Sequence, residues 1–232
     1  ILRKHQPRAF FLENVKGLAI HDKGRTLKTI LGHLDDAGYD VVPPQILNAM
    51  DFGVPQHRER IYIIGFRKNL HINTANFHYP EPQTKGENRP RFRDVMENEV
   101  PSVKYYLSTT YVETLKRHRA RHEAAGHGFG YEIIDTDGVA NAIVVGGMGR
   151  ERNLLIDKRL KDFTPITNIK GEVNREGIRR MTPREWARLQ GFPDKFKIVV
   201  ADASAYKQFG NSVAIPAIQA TAEKELQMLG II

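Results

Sequence analysis

The sequence predicts an α/β fold in which the closing half of a doubly wound sheet is joined to a smaller loop-rich module. Three observations point to it. Strand-length apolar runs flank one helix-period segment before residue 70. A stretch punctuated by proline and glycine follows, with weak hydrophobic periodicity. Regular patterning then returns from Arg179.

Ala9 to Val15 is a short apolar run ending in polar residues, the pattern of a buried parallel strand that presents functional side chains at its tip. Leu27, Ile30, Leu31 and Leu34 recur at helical spacing, and Gly38 stops that helix. Tyr39 to Leu47 reads as a strand made irregular by Pro43-Pro44, and Ile61 to Phe66 as a third strand. Residues 71–90, with Pro80, Pro82, Gly86 and Pro90, read as a linker or loop. Ser108 is placed to cap a basic helix that Gly126 ends. Short β-type pieces follow at Tyr131 to Ile134, Ala142 to Val145 and Leu154 to Ile156. Thr182, Pro183 and Glu185 supply the cap, first-turn proline and capping-box partner of a helix ended by Gly191, with Pro193 beyond it. Arg184 and Arg188 share one face of that helix. A last helix is expected over roughly Ser212 to Leu229, with Pro216 in its first turns. The resulting division is 1–70, 71–178 and 179–232.

The 232 residues carry 35 Lys and Arg against 27 Asp and Glu, a formal charge of +8 that suggests an anionic partner. Between Lys104 and His122 there are five Lys or Arg against one acid. Having no cysteine excludes a disulfide framework, a thiolate metal site and a cysteine nucleophile within this sequence, and is compatible with a reducing cytoplasm. No His pair has metal-ligand spacing, and His33, Trp186 and the methionines read as packing. No apolar run approaches the roughly 20 residues that span a bilayer. The start reads as mid-protein, lacking both a signal-peptide core and an initiator Met.

Five constellations bear on chemistry. In Glu13-Asn14-Val15, a carboxyl at the tip of a buried strand would be desolvated and suited to donating a proton or hydrogen bond to a ring nitrogen. A Glu that caps the next element is the competing reading. In the run Gly53-Val54-Pro55-Gln56-His57-Arg58-Glu59-Arg60, two guanidiniums at i and i+2 on one strand face can hold a carboxylate and a carbonyl together. A surface ladder through Glu59 is the alternative. Arg117, Arg119 and Arg121 on the basic helix offer phosphate contacts or merely a solvated face. Arg150, Arg152 and Asn153, beyond Gly146-Gly147-Met148-Gly149, are of the types that read guanine and adenine edges. Gly126-His127-Gly128-Phe129-Gly130-Tyr131 interleaves glycines with rings that pack under a base or fill a small core.

Arg179-x-Met-Thr-Pro-Arg-Glu-x-x-Arg-Leu-Gln-Gly-Phe-Pro193, followed by Gln208-Phe-Gly-Asn-Ser-Val213, resembles the last two signature motifs of the DNA cytosine-5 methyltransferases. Glu13-Asn14-Val15 and Gln56-x-Arg58-x-Arg60 resemble that family's sixth and eighth motifs, in the family's order. The resemblance implies a methyltransferase sheet that uses S-adenosylmethionine, a target recognition domain over residues 71–178, and double-stranded DNA as partner in a bacterial cytoplasm. Glu13 would engage N3 of the target cytosine, and Arg60 would contact the base and brace Glu13, with Arg58 beside them. Asn211, Ser212 and Val213, at the start of the last helix, would help hold the cofactor. Gln56, Arg117, Arg119, Arg121, Arg150, Arg152 and Asn153 form the expected DNA-contacting set.

The family's opening Phe-x-Gly-x-Gly turn and its Pro-Cys-Gln loop are both missing from these residues. The resemblance therefore implies the C-terminal part of such an enzyme, inactive alone, whose N-terminal half is supplied in cis or as a separate subunit. The rival is a non-catalytic DNA-binding or regulatory relative of the same fold.

Overall fold

A computed structural model of the chain describes residues 1–128, 130–146, 149–166 and 169–232. Its α-helices and strands run in the order α1 (Leu2–His5), β1 (Ala9–Val15), α2 (Arg25–Asp36), β2 (Tyr39–Val41), β3 (Gln45–Asn48), β4 (Gln56–His57) and β5 (Glu59–Arg67). They continue with α3 (Thr109–Ala124), β6 (Ala140–Asn141), β7 (Leu154–Ile156), β8 (Ile178–Arg180), α4 (Pro183–Leu189), α5 (Asp202–Asn211) and α6 (Ile215–Met228). The chain forms two compact units. One comprises Ile1–Gly53, Arg58–Glu87 and Ile215–Ile232, and the other Val54–His57 and Asn88–Ala214.

The first unit is organised around β5, whose residues 61–66 are all buried. β1 lies along one edge of β5, while β2 and β3 share the other, and every pairing is antiparallel. Pro43-Pro44 interrupts the expected single strand at the point where it divides into β2 and β3. Proline has no N–H to give a ladder, so the break is a local consequence of sequence. Leu34 of α2 is buried against Phe10, Tyr39, Ile61 and Ile63, with Leu27, Ile30 and Leu31 beside it. Phe10 meets Tyr39 edge to face at 5.2 Å between ring centroids and lies over Gly65, where any side chain would collide with its ring.

Two expectations about this unit are corrected. β1 is not a buried parallel strand: it runs antiparallel to β5, and only Phe10 of its seven residues is buried. Residues 71–87 contain no strand or α-helix, yet they are no loose linker. Phe77 and Tyr79 are buried, Phe77 packs on Phe66, and the Tyr79 hydroxyl donates to the Tyr62 carbonyl at 3.0 Å.

The second unit is assembled from short pieces. β4 pairs in parallel with β6, and β7 runs antiparallel to β8. Of the predicted β pieces only Leu154 to Ile156 is a strand. Tyr131 to Ile134 contributes one bridge, Ile133 to Leu154, and Ala142 to Val145 is irregular. The core gathers Phe92, Ile134, Ile143, Leu155, Met181, Trp186, Leu189, Tyr206 and Phe209. α3 begins as its sequence dictates, with Ser108 Oγ accepting from Tyr111 N–H and Gly126 taking a φ of 75° just past its end. α4 likewise carries the full capping box: Thr182 Oγ1 accepts from Glu185 N–H while the Glu185 carboxylate accepts from Thr182 N–H.

α5 has no counterpart in the sequence reading. It corrects the expected position of Asn211-Ser212-Val213, because Asn211 is the last residue of α5 and Ser212 its C-terminal cap. α6 begins only at Ile215.

Candidate active site and nucleic-acid interface

The exposed end of the β1–β5 ladder sets up the first unit's site. Antiparallel register places Glu13 opposite Tyr62 and Val15 opposite Arg60. Because strand side chains alternate, Glu13, Val15, Arg60 and Tyr62 share one face. Arg60 reaches diagonally across it, putting Nε 3.0 Å from Glu13 Oε1, and its Nη1 donates to the Glu59 carbonyl at 2.8 Å. Glu13 is not fully desolvated as expected, since its side chain keeps 22 % of its surface exposed. Outside the pair, Lys16 Nζ bonds both Glu59 carboxylate oxygens at 2.9 and 3.0 Å. Glu59 therefore belongs to a surface ion pair, leaving Arg60 to Glu13.

Arg58 lies just before β5 and is buried. Burial first, then the neighbouring Arg60 charge, lowers its pKa to about 10, against the pull of Glu13. The same environment pushes the Tyr62 phenol up to about 12, through burial and then the Glu13 charge. Arg58 is held by its backbone: its N–H donates to Asn48 Oδ1 at 3.0 Å, and its carbonyl accepts from Ala49 N–H at 3.0 Å. Asn48, unnoticed in the sequence, also accepts from Met50 N–H at 3.3 Å and so fixes the turn that positions Arg58. Asn14 Oδ1 accepts from Val15 N–H, which shapes the end of β1.

In the second unit two glutamines tie the motif strings together. Gln56 is fully buried. Its amide nitrogen donates to the Leu189 carbonyl at 2.8 Å and to Gln190 Oε1 at 3.2 Å, while its oxygen accepts from Ile143 N–H at 3.0 Å. Gln190 Nε2 in turn donates to the carbonyls of Phe209 and Ser212. Gln56 and Gln190 therefore set the C-terminal end of α5 and the connection after it. Asn211 itself is exposed.

Gln56 and Asn153 leave the expected DNA-contacting set for the same reason. Asn153 is 1 % exposed and exchanges hydrogen bonds with Asn141, donating to its carbonyl and accepting from its N–H. The arginines differ among themselves. Arg117 and Arg121 are exposed on α3. Arg119 is tied to Glu123 at 2.7 Å and lies over the Tyr131 ring, and Arg152 faces Glu132 at 3.4 Å. Arg150 is exposed, with its guanidinium over the Tyr206 ring at 5.4 Å. Phe129, Gly147 and Met148 lie outside the described residues.

Arg184 and Arg188, expected on one face of α4, both turn to neighbouring chain. Arg188 binds Asp194 and the Met96 carbonyl, and Arg184 binds the Phe196 carbonyl. His33 is exposed, not packed, beside Asp36. A buried ionic network also escaped the sequence reading: Arg179 bonds both Glu185 oxygens at 2.7 and 2.8 Å and Asp157 Oδ2 at 3.0 Å. Among the described residues no cluster of three or more acidic, His or Cys side chains is arranged to hold a metal, and no helix is long and apolar enough to cross a membrane.

The fold is one shared with solved methyltransferase structures. The Dnmt2 methyltransferase of S. pombe superposes with a TM-score of 0.67 at 19% identity, covering 97% of this chain and 68% of that one. The methyltransferase EhMeth of Entamoeba histolytica gives 0.68 at 19% identity, over 96% and 63%. Residues 1–227 match the profile of the C-5 cytosine-specific DNA methylases, and the chain belongs to that family. It is 68% identical over 231 residues to the type II methyltransferase M.HpaII of Haemophilus parainfluenzae, covering 99% of this chain and 63% of the relative. It is 41% identical to the type II methyltransferase M1.ScrFI of Lactococcus lactis subsp. cremoris, over 99% of this chain and 54% of the relative. The chain thus spans little more than half to under two thirds of the length of these relatives.

Proposed function

We propose that this chain is the base-engaging and DNA-recognising portion of a DNA cytosine-5 methyltransferase. The whole enzyme moves a methyl group from S-adenosylmethionine to C5 of a cytosine flipped out of a duplex at a short specific site. The observation that carries the reading is the Glu13–Arg60 pair, held at 3.0 Å at the open end of β1 and backed by buried Arg58. A thiolate adding at C6 would make C5 nucleophilic, and a hydrogen bond or proton from Glu13 at N3 would offset the charge on the ring. After methylation, loss of the C5 proton with elimination of the thiolate would restore the ring. Arg60 holds Glu13 in place and contacts the base.

The thiol comes from outside these 232 residues, which contain no cysteine. Asn211, Ser212 and Val213 form part of the cofactor's site. The exposed Asn211 amide, at a chain connection whose backbone is fixed by Gln190, suits a polar ligand. When bound, S-adenosylmethionine supplies the methyl group. Arg117, Arg119, Arg121, Arg150 and Arg152 are the DNA contacts, arginines on the surface of the second unit.

The test is methyl transfer from radiolabelled S-adenosylmethionine to duplex DNA. The 232-residue chain alone is expected to transfer nothing, and the chain joined to its natural preceding sequence to label cytosine. Turnover by the chain alone would overturn the assignment of the nucleophile. No turnover by the joined protein, with DNA still bound, would favour a non-catalytic DNA-binding relative.

A further inference from the structure

We infer that Gly210 is a positioning residue for base recognition: it leaves the space in which Val145 seats, in the cleft that Arg150 also lines. The inference rests on reading the second unit as the DNA-recognising one.

Gly210 sits in the last turn of α5 with ordinary helical backbone, so no positive φ demands a glycine there. Alanine is also the better helix former, which makes glycine a poor choice on local grounds. Space supplies the reason. A Cβ at Gly210 would lie 2.5 Å from Val145 Cγ2, 3.2 Å from Trp186 Cζ3 and 3.4 Å from Val145 N. Val145 and the Trp186 ring both crowd the bare Cα, and the Val145 contact is far inside van der Waals range.

What rests there is Val145, close in sequence to Arg150, one of the proposed DNA contacts. Gly146 adopts a φ of 85°, Gly149 N–H donates to the Gly146 carbonyl at 3.1 Å, and Arg150 follows at once. Val144, Val145, Gly146, Arg150, Trp186, Tyr206 and Lys207 line one cleft of about 130 Å³. Its floor is rigid, because Trp186 meets Tyr206 edge to face at 4.9 Å and the Tyr206 hydroxyl donates to the Met181 carbonyl. Arg150 lies over that same Tyr206 ring. The glycine of the Gln-Phe-Gly-Asn-Ser-Val string therefore acts through Val145 on Arg150, apart from any part its neighbour Asn211 takes in holding the cofactor.

Gly210→Ala, Val145→Ala and the double variant test this in the full 232-residue chain. Trp186 is the sole tryptophan, so acrylamide quenching reports its cover directly. Gly210→Ala should raise quenching and, in selection from a random duplex library, flatten the preference at the position Arg150 reads by about tenfold, the scale of one bidentate base contact. Adding Val145→Ala removes the 2.5 Å collision and should restore both readouts, which also separates seating from a general loss of folding. Unchanged quenching in Gly210→Ala, or a double variant as impaired as the single one, would overturn the inference. A parent chain that selects no duplex sequence would sink the DNA-recognition reading, while the quenching series would still decide whether Gly210 seats Val145.

Discussion

Arg60 Nε lies 3.0 Å from Glu13 Oε1 although the two are not opposite each other in the ladder, where Glu13 faces Tyr62 and Arg60 faces Val15. The diagonal reach aims the Glu13 carboxylate along the sheet toward its open end. In the full-length enzyme, Glu13→Gln and Arg60→Ala should each lower kcat by about 10²–10⁴-fold, the range for a positioned acid–base group. Because the pair is partly exposed, either change should shift unfolding free energy by about 1 kcal/mol or less. Methyl-transfer rates and urea unfolding together check this; a large stability loss with activity retained would make the pair a structural brace only.

Arg179 joins two buried carboxylates, Glu185 inside the α4 capping box and Asp157 after β7. Removing it leaves Glu185 buried without its cation, while Asp157 keeps only Arg159. Arg179→Met should cost about 3–5 kcal/mol in urea unfolding, the usual scale for one lost partner of a buried ion pair.

Asp157 gives the second unit an acid limit. Burial alone would raise its pKa, but hydrogen bonds from Arg159 and the charge of Arg179 outweigh it and hold the carboxyl at about 2, below its ordinary 3.8. Between those values the unfolded chain binds a proton that the folded chain does not, so stability rises with pH through that window. The contribution is complete above pH 4 and fades as pH falls toward 2, amounting to about 2 kcal/mol. Unfolding measured across that range should show the slope, and Asp157→Asn should flatten it.

Gln56 separates a packing role from a DNA contact. Gln56→Ala orphans the Leu189 carbonyl and the Ile143 N–H inside the core and should cost about 2 kcal/mol or more. Arg117→Ala, on an exposed face, should leave stability within about 0.5 kcal/mol, and should weaken DNA binding with a salt slope smaller by about one. A Gln56→Ala protein of parental stability with weakened DNA binding would return that residue to the interface.

What could be read in advance was local. Thr182, Pro183 and Glu185 fix the start of α4 within four residues, and Pro43-Pro44 fixes the break between β2 and β3, so neither needed the rest of the chain. β6 is two residues long and exists because Gln56 and His57 pair with it from far away in sequence, which no nearby pattern reveals. α5 escaped because a glycine in its last turn conceals a helix whose apolar side, Ala205, Tyr206 and Phe209, is short. For the candidate site, family resemblance singled out Glu13 and Arg60, and the structure pairs them at 3.0 Å. Gln56 and Asn153 were misassigned because an amide looks alike in sequence whether it meets a base or a buried carbonyl. Asn48 and Asp157 carry no motif, and their roles follow from tertiary packing alone.

The buried amide of Gln56 also sets a boundary for recombination. Residues 54–57 belong with 88–214, although they lie outside that stretch in sequence. A chimera that exchanged 88–214 alone would set a foreign core against Gln56, whose partners are the backbone at 143 and 189 and the side chain of Gln190. If that unit carries sequence specificity as proposed, specificity would pass between relatives as a graft of two separated pieces, the short one no less necessary than the long one.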